Sequence, residues 1–370
     1  MTIPFNKNLN KISTYEPGKS EVKNSIKRVI KLSSNESPLE FSKNTIKKIK
    51  NIKVNLNRYP DPYCKQLREK VSKVYKVKKN NIIFGNGSDE LFFLISYCFL
   101  NRKVEGLYSR HGFLIYPIAI NAAGAKAVYS KETNFKADVN ELIKKSNKNT
   151  RVCFIANPNN PTGTYLKKNE IKILRERLPK KCLLVIDSAY SEYVVKDDYC
   201  DSLDYAKTRN DIIVTHTFSK IFGIPSVRLG WAYCPAEIVE KLNKISPSFN
   251  INFYAQKIGQ YILEDKAFIK KSIKHNLYWK SWITKKLNAR GIEVLEGVAN
   301  FILLVLKRKE HALLLANYLE NNNILVRKLN AYKLDYCIRI TIGSEKDLKS
   351  LVDNIKKFKK EKKIDFIWLP

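Results

Sequence analysis

The feature that most constrains the fold of this 370-residue chain is a series of short β-rich runs, each ending in a turn and followed by a helix-like segment. Strands that alternate with helices predict a mostly parallel sheet covered on both faces, and ligands of such sheets bind beyond the carboxyl ends of the strands. The seven runs are NNIIF (80–84), KVEGLY (103–108), AKAVYS (125–130), RVCFIA (151–156), CLLVID (182–187), DIIVTH (211–216) and LGWAYC (229–234).

The pattern changes near residue 265, where a long helical segment leads to shorter strand-like runs and further helices. This change predicts a second, smaller α+β domain. We therefore predict an α/β protein with an N-terminal arm that joins the small domain (1–45), a large domain (46–264) and a small C-terminal domain (265–370). A cleft between the two domains is the natural place for chemistry.

The formal net charge of +33 raises the question of nucleic-acid binding. The lysines, however, are spread along the whole chain, and the sequence has neither zinc-finger spacing nor an obvious helix-turn-helix. We interpret most of the charge as a solvated lysine-rich surface that favours anionic substrates, and we expect no nucleic-acid partner.

The cysteines and histidines give no sign of disulfides or a metal site. The seven cysteines form no CxxC pair, and the four histidines show no HExxH spacing. The N-terminus lacks the apolar core of a signal peptide, and the densest apolar run, LFFLISYCFL, is too short to span a bilayer. We expect reduced thiols, no metal, no membrane contact and a cytoplasmic location.

The turn GNGSDEL follows the first strand and opens a helix. Ser88 is a good N-cap residue, and the free N–H groups at the start of a helix favour a phosphate. A glycine turn with an ordinary cap would explain the same residues. Next, RVCFIA runs into NPNNPTG, a rigid loop that could aim the amide of Asn160 into the cleft.

Two more strand ends carry side chains that could take part in catalysis or bind a cofactor. CLLVID ends in Asp187, with Tyr190 three residues later; this aspartate is either a helix cap or a buried charge that requires a partner. The run HTFSKIFGIPSVRLGW places Lys220 after a strand and Arg228 eight residues later. A lysine, an acid, hydrogen-bond donors and a phosphate nest together are what pyridoxal phosphate requires.

The ordered motifs of the chain resemble those of the histidinol-phosphate aminotransferases, within the aspartate aminotransferase fold, which is fold type I of the pyridoxal-phosphate-dependent transferases. The similarity runs from about Leu32 to Gly343. The motifs are LSSNESPL, NRYPDPY, GNGSDEL, YSRHGFLIYP, ANPNNPTG, VIDSAY, TFSKIFGIPSVRLGW, GVANFILL and CIRITIG.

The resemblance implies a catalytic group of Lys220, Asp187 and Tyr190. Lys220 would form the Schiff base with the cofactor, Asp187 would pair with the ring nitrogen, and Tyr190 with Asn160 would bond the ring's O3′. The other implied cofactor contacts are the phosphate-binding Ser88, Asp89, Thr217, Ser219 and Arg228, and the ring-stacking Phe113. His111 lies nearby but is not expected to act as a base.

For the substrate, the resemblance implies that Arg339 grips the α-carboxylate and that Arg327 meets the phosphate end, with Asn35 as a further contact. Bidentate geometry explains why an arginine suits the carboxylate better than a lysine. Tyr59 matches a tyrosine that reaches the cofactor phosphate of the neighbouring subunit, which implies a homodimer with shared sites.

These matches imply a ping-pong aminotransferase that converts imidazole-acetol phosphate and L-glutamate to L-histidinol phosphate and 2-oxoglutarate. An aromatic amino-acid aminotransferase acting on tyrosine or phenylalanine is the nearest alternative. A decarboxylase of a phosphorylated amino acid would use the same cofactor differently. A non-catalytic, nucleic-acid-binding regulator is a fourth possibility, which would need a DNA-binding module that the short N-terminal arm does not resemble.

Overall fold

The computed structural model of the protein describes residue 3, residues 7–22 and residues 28–362. The remaining parts of the predicted arm and small domain lie outside the described residues. The strands of the described chain are β1 (Ile30–Lys31), β2 (Ile82–Gly85), β3 (Glu105–Ser109), β4 (Lys126–Ser130), β5 (Glu132–Thr133), β6 (Lys136–Ala137), β7 (Thr150–Ala156), β8 (Leu183–Asp187), β9 (Ile212–Thr217), β10 (Gly230–Tyr233), β11 (Glu293–Leu295), β12 (Phe301–Val305), β13 (Ile324–Leu325), β14 (Arg327–Lys328) and β15 (Cys337–Thr341).

Helices pack around these strands. Over the same described residues they are α1 (Lys43–Lys50), α2 (Lys65–Tyr75), α3 (Ser88–Phe99), α4 (Ile115–Ala122), α5 (Val139–Lys145), α6 (Lys168–Arg177), α7 (Leu203–Ala206), α8 (Ala236–Ile245), α9 (Phe253–Glu264), α10 (Lys266–Asn288), α11 (Lys309–Asn321) and α12 (Glu345–Lys362).

The seven predicted strands form one sheet in the order β2-β10-β9-β8-β7-β3-β4. Only β10 runs antiparallel to its neighbours, so the predicted mostly parallel α/β sheet is confirmed. β8 and β9 are buried along their whole length, as expected for strands with helices on both faces. Separate apolar clusters cover the two faces of the sheet.

A second sheet has the order β11-β12-β15-β14 and packs against α10, α11 and α12 through its own apolar cluster. The two halves of the run ILVRKL (324–329) belong to different sheets. β13 pairs in parallel with β1 of the N-terminal arm, whereas β14 pairs antiparallel with β15. The arm is thereby tied to the small sheet.

The predicted domain boundaries can be placed on these elements. The boundary after residue 264 falls between α9 and α10, while the boundary after residue 45 falls inside α1. Both boundaries stay predictions. No helix among the described residues is both long enough and apolar enough to cross a membrane.

Candidate active site

A cavity of about 230 Å³ lies at the carboxyl ends of β8 and β9, where the large sheet, the small sheet and the N-terminal arm meet. All but one of the site residues predicted from the sequence line it. They are Asn35, Ser88, Asp89, Phe113, Asn160, Asp187, Tyr190, Thr217, Ser219, Lys220, Arg228, Arg327 and Arg339.

Lys220 follows β9 and extends its amine into this cavity. Its Nζ donates a hydrogen bond of 3.3 Å to the carbonyl of Ser34 in the arm and lies 5.8 Å from the centre of the Tyr190 ring. Removal from water, and secondly the charge of Arg339, lower the pKa of Lys220 to about 8. A neutral amine is therefore accessible near neutral pH.

Asp187 ends β8 and is buried. Burial raises the pKa of its carboxyl to about 6, against the opposing effect of its hydrogen bond with Tyr116. The sequence left open whether this residue is a helix cap or a buried charge, and the structure shows a buried acid that caps no helix in the described chain. Its Oδ1 accepts a hydrogen bond from the backbone N–H of Ala189 at 3.2 Å, and its side chain lines the cavity. A cation placed beside it would lower the pKa and be bound.

Tyr116 is a site residue that the sequence analysis did not single out. It lies in α4, is fully buried, and its hydroxyl donates to Asp187 Oδ2 at 2.8 Å. Its place in the YSRHGFLIYP motif, close after Phe113, was the available signal. Its hydroxyl fixes the orientation of the carboxylate.

The start of α3 forms one corner of the cavity, called here the phosphate corner because the phosphate-binding residues were predicted there. The helix begins at Ser88, and its N-cap is Gly87 with a φ of 77°, so the expectation that Ser88 is the cap was wrong. No side chain among the described residues caps this helix. A Cβ on Gly87 would collide with Arg228 Nη2, and a Cβ on Gly230 would collide with the Ser88 backbone nitrogen. Glycine at both positions lets N–H groups and a guanidinium converge on one point, as an anion requires.

Arg228, Ser219 and Thr217 complete this corner. Arg228 Nη1 donates to Ser219 Oγ at 3.4 Å, and Thr217 Oγ1 accepts the Ser219 backbone N–H at 3.1 Å. Arg228 Nη2 also lies 3.5 Å from Asp89 Oδ2. Burial raises the pKa of Asp89, and Arg228 opposes the rise. The corner therefore contains one acid and one arginine. Their separation of 3.5 Å leaves the positive charge of Arg228 only partly neutralised by Asp89.

Arg339 faces the cavity from β15 and is buried. Its Nη2 donates to the carbonyl of Ser33 at 2.8 Å, and its Nη1 donates to Asn160 Oδ1. Its Nε has no hydrogen-bond partner within the described part of the chain. Burial lowers the pKa of Arg339. A buried guanidinium with only neutral partners and an unused N–H suits a carboxylate or phosphate ligand.

Arg327 on β14 lies directly opposite Arg339 in the strand register. Its Nη2 donates to the Glu16 carbonyl at 2.5 Å, so the arm forms one wall of the cavity beside it. Tyr15, also in the arm, lies edge-on to Phe113 with ring centres 6.2 Å apart. Two arginines and two aromatic rings therefore line the same cavity.

Asn35 connects the arm to the catalytic tyrosine candidate. Its Nδ2 donates to the hydroxyl of Tyr190 at 2.8 Å, and its backbone N–H donates to Thr341 Oγ1 at 2.9 Å. Burial raises the pKa of Tyr190 to about 12, so its hydroxyl keeps its proton and can donate it to an acceptor. Asn35 has a φ of 57°, a conformation that asparagine tolerates better than most residues.

Two residues discussed from the sequence do not line the cavity. Tyr59 is 81% exposed and stacks on Phe249 with ring centres 4.4 Å apart. His111 places its Nδ1 2.7 Å from the carbonyl of Tyr332. The histidine is thus engaged in a structural contact, and the tyrosine lies on the surface.

These features fit pyridoxal phosphate: an uncapped helix start beside an arginine for the phosphate, a buried acid for the ring nitrogen, and a lysine of lowered pKa for the aldehyde. An α/β sheet with such a cavity at its strand ends defines a pyridoxal-phosphate-dependent transferase.

The comparisons with known proteins give the family. The chain belongs to the family described as aminotransferase class I and II, whose pattern matches residues 27–355. It is 41% identical to the histidinol-phosphate aminotransferase of Pelagibacter ubique (strain HTCC1062) over 358 residues, which are 96% of this chain and 99% of the relative. It is 36% identical to that of Maricaulis maris (strain MCS10), over 94% of this chain and 97% of the relative.

A solved structure shows the same fold. The histidinol-phosphate aminotransferase of Sinorhizobium meliloti, solved in complex with pyridoxal 5′-phosphate, superposes with a TM-score of 0.83 at 20% identity, covering 89% of this chain and 91% of the other. The predicted fold and family are thereby confirmed.

Proposed function

We propose that this protein is a histidinol-phosphate aminotransferase, which moves an amino group between L-glutamate and imidazole-acetol phosphate and yields 2-oxoglutarate and L-histidinol phosphate. The observation that carries the proposal is the pair Arg327 and Arg339, opposite each other on neighbouring strands in the cavity that contains Lys220. The 41% identity to a relative of that name over nearly the full chain supports it.

The cofactor is pyridoxal 5′-phosphate, which when bound supplies an aldehyde for the amine and a ring that withdraws electrons from the substrate Cα. On this proposal Ser88, Thr217, Ser219 and Arg228 hold its phosphate, while Asp187 faces its ring nitrogen. Phe113 would cover one face of the ring.

The residues of the chain divide the proton chemistry between them. Lys220, whose pKa is lowered to about 8, would take the proton from the substrate Cα with Nζ and deliver it to the carbon on the other side of the transferred nitrogen. The Asp187 carboxylate, oriented by Tyr116, would pair with the positive charge of the cofactor's ring nitrogen. Asn160 has its Oδ1 occupied by Arg339, which leaves its N–H groups as donors to an anionic oxygen.

The two arginines explain how one cavity accepts two substrates. Glutamate carries a carboxylate on Cα, whereas histidinol phosphate carries a phosphate one carbon further out. Arg339 meets the first group, and Arg327 adds a second guanidinium for the larger, more highly charged one. Because both substrates use the same cavity, they bind in turn, as ping-pong kinetics requires.

An aromatic amino-acid aminotransferase is the second candidate, favoured by the pair of rings formed by Tyr15 and Phe113 beside the arginines. Arg327→Ala separates the two activities. We expect kcat/KM for histidinol phosphate to fall about 30- to 100-fold because a charged hydrogen bond is lost, with phenylalanine nearly unaffected. Equal losses for both substrates would remove the role of Arg327 in phosphate recognition.

The direct test of the substrate is a set of half-reactions in which the visible absorbance of the bound cofactor is followed after each compound is added alone. Histidinol phosphate and glutamate are expected to convert the cofactor at low concentration. Phenylalanine, tyrosine and phosphothreonine serve as the rival substrates. Conversion by phenylalanine or tyrosine without conversion by histidinol phosphate would replace the proposal with the aromatic one, and release of carbon dioxide from phosphothreonine would replace it with the decarboxylase.

We also propose that the enzyme is a homodimer whose sites are shared. The support is an exposed apolar patch, since Tyr59, Leu56 and Tyr63 are 81%, 84% and 66% exposed and Tyr59 stacks on Phe249. A second copy on this patch would receive Tyr59 at its phosphate corner.

Mixing two inactive variants tests the sharing. If Tyr59 acts across the interface, Tyr59→Ala and Lys220→Ala place both defects in the same site of a mixed dimer and leave the other site intact. Subunit exchange is then expected to restore about a quarter of wild-type activity, because half of the dimers are mixed and each has one intact site. Absence of recovery despite demonstrated exchange would contradict the shared site. A cytoplasmic location completes the proposal, supported by seven cysteines that are all free.

A further inference from the structure

Helix α10 buries a polar stripe that faces away from solvent. Four residues at intervals of four along the helix are buried, and three of them, Ser272, Asn276 and Thr284, have a polar side-chain atom without a hydrogen-bond partner in the described chain. The fourth is Lys280, which is 4% exposed. Residues at this spacing lie on one face of a helix, so α10 presents a row of polar side chains to the segment that packs against it.

Lys280 is bonded to main chain rather than to an acid. Its Nζ donates to the carbonyls of Gly297 at 2.7 Å and Ala299 at 3.1 Å. Asn276, one turn earlier, donates to the same Ala299 carbonyl at 3.3 Å. Burial lowers the pKa of Lys280 to about 8, with Glu296 acting in the opposite direction. A charge this deeply buried is costly, so its retention calls for a structural or functional gain.

Both carbonyls belong to residues 296–300, which connect β11 to β12. This connection, called here the 296–300 connection, touches the loop that carries Asn160. The backbone N–H of Val298 donates to the Gly163 carbonyl at 2.8 Å, and a Cβ on Gly297 would overlap the Gly163 main chain. Asn160 lies three residues before Gly163, in the same NPNNPTG loop.

The 296–300 connection also touches the opposite wall of the cavity. Asn300 Nδ2 donates to the Asn35 carbonyl at 3.0 Å, and Asn35 in turn holds the hydroxyl of Tyr190. The next residue, Phe301, packs edge-on against the Tyr190 ring at 5.4 Å. The 296–300 connection thus contacts the loop that carries Asn160 and also Asn35, which bonds the hydroxyl of Tyr190.

We propose that Lys280 is a positioning residue of the cofactor site: by holding the carbonyls of Gly297 and Ala299, it fixes the 296–300 connection against Gly163 and Asn35 and so sets the places of Asn160 and Tyr190. The inference deepens the proposed function and rests on it for the presence of the cofactor. Lys280 touches neither cofactor nor substrate, so it acts only through these contacts.

The test compares the holoenzyme of Lys280→Met with that of Lys285→Met, an exposed lysine on the same helix. Two quantities are measured: the pH midpoint of the cofactor's visible absorbance, and the pyridoxal phosphate concentration that half-saturates the apo-protein. Donors to the cofactor's anionic oxygen favour its deprotonated form, so looser donors raise the midpoint, by about half a pH unit or more. The half-saturating concentration is expected to rise about tenfold, which corresponds to one lost hydrogen bond to a charged group.

Lys280→Arg keeps the charge and the donors and is expected to recover part of both changes. A midpoint and a half-saturating concentration equal to wild type in Lys280→Met, whatever the change in melting temperature, would reduce Lys280 to a structural residue and overturn the inference. If Lys280→Met does not fold, Lys280→Gln is judged by the same two measurements. A wild-type protein that takes up no pyridoxal phosphate would instead contradict the proposed function.

Discussion

Two lysines in different parts of the molecule have almost the same chemical setting and different consequences. Lys220 at the end of β9 and Lys280 in α10 both have a pKa lowered to about 8 by burial, and both donate to main-chain carbonyls. Within the described chain, Lys280 has two such bonds, at 2.7 and 3.1 Å, whereas Lys220 has one long bond at 3.3 Å and lines the cavity. A buried amine that is satisfied by main chain organises structure, and one left partly unsatisfied beside a cavity is available for chemistry.

The same contrast separates two buried arginines. Arg175 in α6 donates to the carbonyls of Cys182, Leu178 and Pro179, and its Nε lies 3.4 Å from Asp211. Both arginines have an Nε without a hydrogen-bond partner in the described chain, but Arg339 has only a carbonyl and an amide as partners there and, unlike Arg175, no ion pair. Burial alone therefore does not mark a functional cation, but a buried cation that lines a cavity without an acidic partner is a candidate for one.

Lys220→Ala is the change with the largest expected effect. In the proposed function Lys220 both holds the cofactor and moves the proton, so we expect steady-state transamination to fall by at least about 10⁴-fold. Lys285→Met, which removes an exposed lysine, should retain wild-type activity. Sustained multiple turnover in the Lys220 variant would contradict the claim that Lys220, unlike Lys280, takes part in the chemistry.

Asp187→Asn sharpens the electrostatic part of the comparison. The amide has nearly the same shape but no charge to pair with a ring cation, so kcat/KM with glutamate is expected to fall roughly 10²- to 10³-fold. An activity within about threefold of wild type would show that the carboxylate is not required.

The raised pKa of Asp187 predicts how the affinity for the cofactor depends on pH. The pKa of Asp187 is raised to about 6 in the empty protein, so the carboxyl gains its proton and loses its charge as pH falls through that value. The affinity of the apo-protein for pyridoxal phosphate should therefore fall between pH 7 and pH 5 more steeply in wild type than in Asp187→Asn. Parallel titration curves for the two proteins would contradict this assignment.

Arg339→Lys tests the contrast between the arginines. A lysine keeps the charge but loses the forked geometry, and we expect kcat/KM for glutamate to fall about 10- to 100-fold, mainly through KM. Arg175→Lys is the matched control, which should lower the melting temperature and leave KM unchanged. A larger KM effect at Arg175 than at Arg339 would reverse the comparison.

Tyr116→Phe has the smallest expected effect. The change removes one hydrogen bond to the Asp187 carboxylate and keeps the aromatic ring in place, so kcat/KM should fall about tenfold or less. Tyr108→Phe, at a half-buried tyrosine of β3, provides the control. A loss as large as that of Asp187→Asn would mean that Tyr116 does more than orient the acid.

The sequence predicted the large sheet and most of the cavity because parallel strands bring their carboxyl ends to one edge, which places Asp187, Lys220 and the loop of Asn160 together. It could not reveal Tyr116 as a partner of Asp187, because that pairing depends on how α4 packs on the sheet. The division of ILVRKL depends on β1 and β15, which are far away in the chain.

Main-chain contributions also escaped prediction. Ser33 and Ser34 act through carbonyls, which every residue has, so no residue type marks them. Lys280 is one of 68 lysines and arginines, and only packing distinguishes it from the exposed ones.

The most direct measurement of the central claim is to reduce the holoenzyme with sodium borohydride, which fixes the cofactor to the nitrogen that holds it, and to map the modified peptide by mass spectrometry. The account predicts the added mass on Lys220 and none on Lys280. Modification of Lys280 or of another lysine with Lys220 left free would contradict it.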